Sequence, residues 1–195
     1  GVPKMQSWGV AISPDNQFLA TAGISPWVAL WDITLGEKVK DYGPRERTVH
    51  HVAFSINGRW LAAAGYDNMI KIYDLIRGSV TGELKGFPWA PLVAVFSSDG
   101  SRLATVTGDE KARDVKLWET ETGTDVFSLS LSNISQSLAF RPNGLTLAIA
   151  LNNGNTVLFR AFPWKNEDYP GTSETPVEKR IELYKRQNWL LRFQQ

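Results

Sequence analysis

Residues 92–123 read LVAVFSSDGSRLATVTGDEKARDVKLWETETG, and this stretch decides the fold. Three short apolar runs, 92–96, 102–107 and 114–118, are separated by segments rich in Ser, Asp, Gly and charged residues. Short runs of apolar and β-branched residues between such segments are typical of strands, and Ser-Ser-Asp-Gly is typical of a tight turn. The stretch therefore predicts consecutive antiparallel strands joined by turns.

The same arrangement occurs four times along the chain. The turn after the first run begins at Ser13, Ser55, Ser97 and Arg141, so successive copies lie 42, 42 and 44 residues apart. In each copy a later run places an aromatic residue at an equivalent position, namely Trp31, Tyr73, Trp118 and Phe159. A period of this length indicates a repeat architecture whose unit is one small sheet.

These copies resemble the WD-repeat family of β-propellers. The motifs Phe-Ser-x-(Asp/Asn)-Gly, Leu-Ala-x-x-Gly and (Val/Ile)-Lys-(Leu/Ile)-(Trp/Tyr)-(Asp/Glu) stand almost unaltered across residues 8–161. The resemblance implies an all-β fold with four four-stranded antiparallel blades, at residues 8–42, 49–84, 92–130 and 137–161. Propellers of this family generally have seven or eight blades. The resemblance therefore implies the C-terminal part of a larger propeller, either as a partial ring or as half of an eight-bladed assembly.

Composition agrees with a folded domain and excludes several kinds of function. Of 195 residues, 43% are hydrophobic, and 21 basic against 20 acidic side chains leave a net charge of +1. This balance lacks the excess of basic residues that is typical of nucleic-acid-binding proteins. No apolar run is long enough to span a bilayer. The absence of cysteine excludes disulfides and thiolate metal sites but leaves the compartment open. The chain begins Gly1-Val2-Pro3, without an initiator Met or a signal-peptide pattern, which favours a fragment of a longer chain.

The sequence departs from the family pattern at one polar position. WD repeats often carry Gly-His before a blade, and this His contacts an Asp after the second strand and, through Ser or Thr, the Trp of the third. No copy here has Gly-His, although Asp67, Asp109, Trp31 and Trp118 are present. We therefore expect an incomplete polar network and greater dependence on apolar packing, with Trp118 buried. His50 and His51 begin a strand, and a period of two predicts that one ring points inward and the other outward.

A four-stranded meander sorts its loops onto two faces. The turns after the first and third strands are short and read as structural, whereas the loops on the other face carry aromatic and Arg side chains. We predict that this face binds a protein or peptide partner through Trp27, Arg45, Arg47, Phe87, Trp89 and Arg113. An alternative is that Trp27 and Trp89 cap the seams between blades.

Residues 162–195 lie outside the repeats and are predicted to form a C-terminal loop and helix. Pro176 opens a segment with helical apolar spacing as far as Phe193 and an excess of basic residues. Packing on its own propeller is the favoured interpretation, and binding to a membrane or an acidic partner is the alternative. No fourth strand of the last blade is evident between Phe159 and Pro176, so a partner segment or missing N-terminal sequence is expected to supply it. We also expect a second propeller half, by self-association or as missing N-terminal blades.

Three functions remain open on the sequence. The favoured one is a non-enzymatic interaction scaffold without cofactor, metal, nucleic acid or membrane. The second is a structural or regulatory sensor module of a larger signalling protein. The third is an enzyme acting in the propeller channel, which is disfavoured because nucleophile elbow, phosphate loop and His-Glu-x-x-His motifs are missing and the repeated carboxylates fall at turns.

Overall fold

The computed structural model describes residues 6–107, 114–131, 133, 135–142, 144, 146–160 and 191–192. Within these residues every regular element is a strand, and the strands form four separate four-stranded antiparallel sheets. In each sheet the strands are ordered as in the sequence, so each sheet is a simple meander. The predicted all-β class and the four blades are confirmed.

Every strand of the four blades has five or six residues, except the last strand of blade 4, which has two. Blade 1 contains β1 (Ser7–Ile12), β2 (Phe18–Gly23), β3 (Val28–Asp32) and β4 (Glu37–Tyr42). Blade 2 contains β5 (Val49–Phe54), β6 (Trp60–Gly65), β7 (Met69–Asp74) and β8 (Ser79–Leu84). Blade 3 contains β9 (Pro91–Phe96), β10 (Arg102–Thr107), β11 (Asp114–Glu119) and β12 (Asp125–Ser130). Blade 4 contains β13 (Ser135–Phe140), β14 (Thr146–Leu151), β15 (Thr156–Arg160) and β16 (Leu191–Arg192).

The turn between the first two strands is closed by a repeated serine. The Ser97 hydroxyl donates to the Asp99 carboxylate at 2.5 Å and accepts from the backbone N–H of Arg102 at 2.9 Å. Ser13 makes the same pair of contacts in blade 1, and in blade 2 Ser55 donates to the side-chain amide oxygen of Asn57 and accepts from the backbone N–H of Trp60. Side chains that replace backbone hydrogen bonds in this way favour turns. These hydrogen bonds support the prediction that the turns after the first strands have a structural role.

The blades stand side by side, with their first strands adjoining. β1 contacts β5, β5 contacts β9 and β9 contacts β13, as expected for strands that line a common axis. Three apolar clusters fill the seams between successive blades, and each combines buried residues of two neighbouring blades. Trp118 lies in the second cluster and is almost completely buried, as predicted.

The last blade is completed from the distant end of the chain. Leu191–Arg192 forms β16 and pairs antiparallel with Val157 and Leu158 of β15. The predicted helix extended through these two residues, and there it is wrong, because they supply the fourth strand that the sequence between Phe159 and Pro176 lacked. Residues 161–190 and 193–195, and with them the rest of the predicted loop and helix, lie outside the described residues.

Candidate protein-interaction face

The loops predicted to bind a partner lie together at one end of the blades. We call this surface the loop face and define it by residues 24–27, 43–48, 66–68 and 85–90, together with the adjoining start of β1. Its loops are tied to each other by backbone hydrogen bonds. The Arg45 N–H donates to the Pro26 carbonyl at 2.8 Å, and the Tyr66 N–H donates to the Thr48 carbonyl at 2.9 Å. The face is therefore braced across neighbouring strands and blades.

Three of the predicted contact residues are exposed on this face. Trp27 is 39% exposed and Trp89 is 48% exposed, and Arg47 is exposed as well. The Trp27 ring lies against Gly43, where a Cβ would meet the ring Cε3 atom at 2.9 Å. Trp27 thus covers part of the neighbouring loop and still presents a large apolar surface. Arg113, the remaining candidate of the sequence, lies outside the described residues.

Arg45 is not available to a partner, and the prediction that it is a contact residue is wrong. Its side chain is fully buried, and its guanidinium pairs bidentately with Asp67 at 2.8 and 2.5 Å. It also donates to the carbonyls of Ala63 at 2.6 Å and Met69 at 2.9 Å. Gly65 leaves the space for this pair, since a Cβ there would lie 3.0 Å from the Asp67 carboxylate.

Phe87 is also buried, and the expectation that it contacts a partner is likewise wrong. Its ring packs against Trp118 with 5.2 Å between ring centroids. Arg45 and Phe87 occupy equivalent places, four residues before β5 and β9, and both loops turn this side chain into the blade. An apolar ring in a loop gains more by covering the buried Trp than by facing water.

The polar network of the family is present in altered form. Trp31 donates to the Thr21 hydroxyl at 3.0 Å, and Trp118 donates to the Thr105 hydroxyl at 2.9 Å. Blade 2 has Ala63 and Tyr73 at the equivalent positions, and there the buried Arg45–Asp67 pair supplies the polar contacts. The expected incompleteness therefore takes a specific form: in blade 2 an arginine makes the contact to Asp67 that the family pattern gives to a histidine.

His50 and His51 both reach the same neighbouring strand, which contradicts the alternation predicted from a period of two. His50 Nε2 lies 2.8 Å from the Pro91 carbonyl oxygen and His51 Nε2 lies 3.0 Å from that of Ala94. The β5–β6 register shifts between Val49 and His51, so His50 is an extra residue at a β-bulge. Burial lowers the pKa of both imidazoles, only partly offset by the carbonyl contacts.

Two exposed aromatic residues on the loop face were not among the predicted contacts. Trp8 is 51% exposed and Tyr66 is 47% exposed, and their rings meet edge to face at 6.1 Å. Tyr66 also contacts the His50 ring at 4.9 Å. A usable signal was present, because Trp8 lies near the start of a first strand and Tyr66 follows a second strand, and both points lie at the loop end of a blade.

The described residues were searched for two further features, a cluster of metal ligands and a membrane-spanning helix. No group of three or more His, Asp or Glu side chains among them is arranged to hold a metal ion. A helix of the length and apolarity needed to cross a bilayer is likewise not found in the described part of the chain.

Comparison with known proteins agrees with the architecture. The family model described as WD domain, G-beta repeat matches residues 36–74. The chain is 27% identical to the chicken serine-threonine kinase receptor-associated protein over 159 residues, 79% of this chain and 42% of that protein. It is 29% identical to a WD repeat-containing protein of Synechocystis, over 68% of this chain and 38% of that protein.

A shorter match reaches higher identity. The Arabidopsis small ribosomal subunit protein RACK1z is 38% identical over 76 residues, 39% of this chain and 23% of that protein. The chain spans less than half the length of these relatives. The four meander sheets, the repeat match and the relatives together support a WD-repeat family for this chain.

Proposed function

We propose that this chain is a non-enzymatic interaction scaffold whose loop face binds a protein or peptide. The observation that carries the proposal is the set of exposed aromatic side chains on one braced face, namely Trp8, Trp27, Tyr66 and Trp89. Single exposed apolar residues are ordinary on a protein surface, but several large aromatics on one face indicate recognition. Binding loops are typically carried by a rigid scaffold in this way.

The composition of the face indicates the kind of contact it makes. Tyr, Trp and Arg are the residues that most often dominate binding energy at protein interfaces. Arg47 is exposed beside the aromatic residues, whereas Arg45 and Phe87 serve the interior. The proposed contacts are therefore Trp27, Arg47 and Trp89, extended by Trp8 and Tyr66, and Arg113 stays a sequence prediction.

The relatives support an interaction role through their names. One is named as associated with a serine-threonine kinase receptor, and another as a protein of the small ribosomal subunit. Both names describe association with other macromolecules. We infer the same general role for this chain and assign it no particular partner.

A peptide-display selection against the chain tests the proposal. Peptides that bind are synthesised with a fluorophore, and their Kd is measured for the wild type and for the double variant Trp27→Ala/Trp89→Ala. We expect at least about a tenfold loss of affinity, since truncating interface tryptophans often costs more than 1 kcal/mol.

The matched control is the double variant Leu35→Ala/Ile76→Ala. Both residues are highly exposed on the opposite turn face, so this variant removes apolar surface without touching the loop face. Affinity should be unchanged in the control. Equal loss in both variants, or no loss in the tryptophan variant with its folding intact by circular dichroism, contradicts the assignment of the loop face.

A further inference from the structure

Each first strand of the four blades has a β-bulge at the same place, next to the loop face. The register with the second strand shifts there, and the extra residues are Trp8, His50, Leu92 and Gln136. Trp8 is 51% exposed, Leu92 is 36% exposed and Gln136 is exposed as well. Bulges re-aim a side chain and are frequent beside functional sites. Here they place aromatic, apolar and amide side chains at the loop end of the blades.

Three of these extra residues form a continuous row with Tyr66 across blades 1 to 3. The Trp8 ring meets the Tyr66 ring at 6.1 Å with the planes at 89°, and Tyr66 meets the His50 ring at 4.9 Å. His50 Nε2 lies 2.8 Å from the carbonyl oxygen of Pro91, which directly precedes Leu92. We call Trp8, Tyr66, His50 and Leu92 the uncharged row. Blades 2 and 3 have a described blade on both sides, so the exposure of Tyr66 and Leu92 does not arise at an end of the chain.

The row carries no net charge at neutral pH. Burial lowers the pKa of His50, so its ring is neutral there. The charges of Arg45 and Asp67 act on this ring, but they belong to one buried ion pair and offset each other. On the loop that leads to blade 3, the Lys85 ammonium lies 2.7 Å from the Glu83 carboxylate. The row therefore offers no counter-charge to a strongly charged segment.

The row and the loop beside it present hydrogen-bond donors. The indole N–H groups of Trp8 and Trp89 and the hydroxyl of Tyr66 make no hydrogen bond within the part of the chain that the structure describes. An indole N–H can only donate, and a phenol hydroxyl donates to a carbonyl. A segment that suits this surface is uncharged and rich in free carbonyl acceptors.

A proline-rich segment has this chemistry. Proline lacks a backbone N–H, and a polyproline II helix has no internal hydrogen bonds, so its carbonyls stay free to accept. Its rings pack on exposed aromatic side chains. Residues two apart in such a helix are separated by about 6 Å, since the rise is about 3.1 Å per residue. The 6.1 Å between the Trp8 and Tyr66 rings matches this spacing.

We propose that the loop face binds a proline-rich segment of its partner, laid along the uncharged row as a polyproline II helix. The carbonyls of the segment accept from the Tyr66 hydroxyl and from the Trp8 and Trp89 indoles. Its proline rings pack on the faces of Trp8 and Tyr66. This proposal rests on the proposed function of the loop face and adds the chemistry of the bound segment.

A fluorescein-labelled proline decamer is the probe, and its Kd is measured by fluorescence anisotropy. A labelled Gly-Ser peptide of equal length is the control probe, because it is also uncharged but is flexible and keeps its N–H donors. We expect the proline decamer to bind at least about tenfold more tightly, since its bound conformation is already formed in solution. Equal affinity of the two probes, or no binding of the proline decamer, overturns the proposal.

Two single variants test the position of the segment. Tyr66→Phe removes only the hydroxyl and should weaken binding of the proline decamer about twofold to tenfold, as expected for one lost hydrogen bond. Trp8→Ala removes a ring and an indole N–H and should weaken it at least about tenfold. The matched control is Leu35→Ala/Ile76→Ala on the turn face, which should leave the Kd unchanged. Full affinity in either single variant, or an equal loss in the control, overturns the proposed position.

The same measurements separate this proposal from the proposed function. Peptides from the display selection are compared with the proline decamer on the wild type and on Trp27→Ala/Trp89→Ala. Selected peptides that lack proline and lose affinity in this variant, together with no binding of the proline decamer, keep the loop face as a binding surface and overturn the proline-rich segment. If neither kind of peptide responds to the loop-face variants, both proposals are overturned.

Discussion

The buried guanidinium of Arg45 shows how one residue changes the polar interior of a blade. It makes four hydrogen bonds, two to Asp67 and one each to the carbonyls of Ala63 and Met69. Arg is suited to this place because its planar fork matches a carboxylate bidentately, which a lysine does not. The residue therefore ties the loop before blade 2 to the turn between β6 and β7.

Removing Arg45 alone should be strongly destabilising. Arg45→Met leaves the Asp67 carboxylate buried without its cation, and breaking a buried pair in this way costs about 3–5 kcal/mol. Urea denaturation followed by tryptophan fluorescence measures the loss. The double variant Arg45→Met/Asp67→Leu removes both charges and should recover much of it, because apolar replacement of a buried pair is often neutral. A double variant as unstable as the single one contradicts this account of the pair.

Trp118 is the residue that tests apolar packing most directly. Trp118→Ala removes a buried ring that packs on Phe87 and donates to Thr105, and we expect a loss of about 3–5 kcal/mol in the free energy of unfolding. Trp89→Ala is the matched control, because it deletes the same side chain from a half-exposed position. The control should lose far less. A loss below about 1 kcal/mol for Trp118→Ala does not fit a buried position.

At the scale of elements, β5 is the strand that departs most from a regular pattern. Its bulge directs both histidine rings toward carbonyls of β9, so the two strands are joined by side chains. Since each carbonyl accepts, Nε2 carries the proton in the neutral rings. The His50 Nδ1 atom is then buried without a hydrogen-bond partner, and protonation would place an N–H donor there.

This arrangement predicts a loss of stability in mild acid. The pKa of both histidines is lowered in the folded chain by burial, so the unfolded chain binds these protons first. Stability is fully present above the unfolded pKa of about 6.5 and falls as pH decreases from there through the lowered folded values. Ordinary carboxylates titrate well below the unfolded histidine pKa, near about pH 4.

Urea midpoints measured between pH 7.5 and 5 check the effect, with pH values chosen to bracket the unfolded pKa of about 6.5. The variant His50→Gln keeps an amide donor for the Pro91 carbonyl but does not titrate. Its stability should therefore depend less on pH than that of the wild type. An identical pH dependence in both proteins contradicts the role assigned to His50.

The strands were predictable from the sequence, whereas the side chains of the loops were not. Runs such as residues 102–107 end at Gly and Asp, and the serine of each turn bonds inside its own turn, so local sequence determines these elements. Arg45 and Phe87 are buried by strands far away in the chain, which no local pattern reports. The bulge at His50 likewise depends on pairing with β6. It interrupts the alternation of side chains that a period of two predicts.

The candidate face shows the same division. Its location follows from meander topology, and Trp27, Arg47 and Trp89 are exposed there as the sequence predicted. Trp8 was assigned to a strand, and its exposure arises only because β1 belongs to the first blade and its start adjoins the loop face. The exposure of a side chain depends on how the blades pack together, so residue type alone does not predict it.

For the whole molecule, the seams make stability unequal along the chain. In repeat proteins, stability is approximately a sum of unit terms and nearest-neighbour interfaces. Blades 2 and 3 each have a seam on both faces, and β6 is buried along its entire length. Blades 1 and 4 each have one seam in the part of the chain that the structure describes. Local opening should therefore be easiest in the end blades.

Amide hydrogen exchange followed by mass spectrometry measures this difference. Peptides covering β6, β7 and β10 should exchange slowest, and peptides covering β1, β2 and β14 should exchange faster in dilute solution, because a blade with one open face opens with less free energy. Uniform protection across the four blades would contradict the unequal seams.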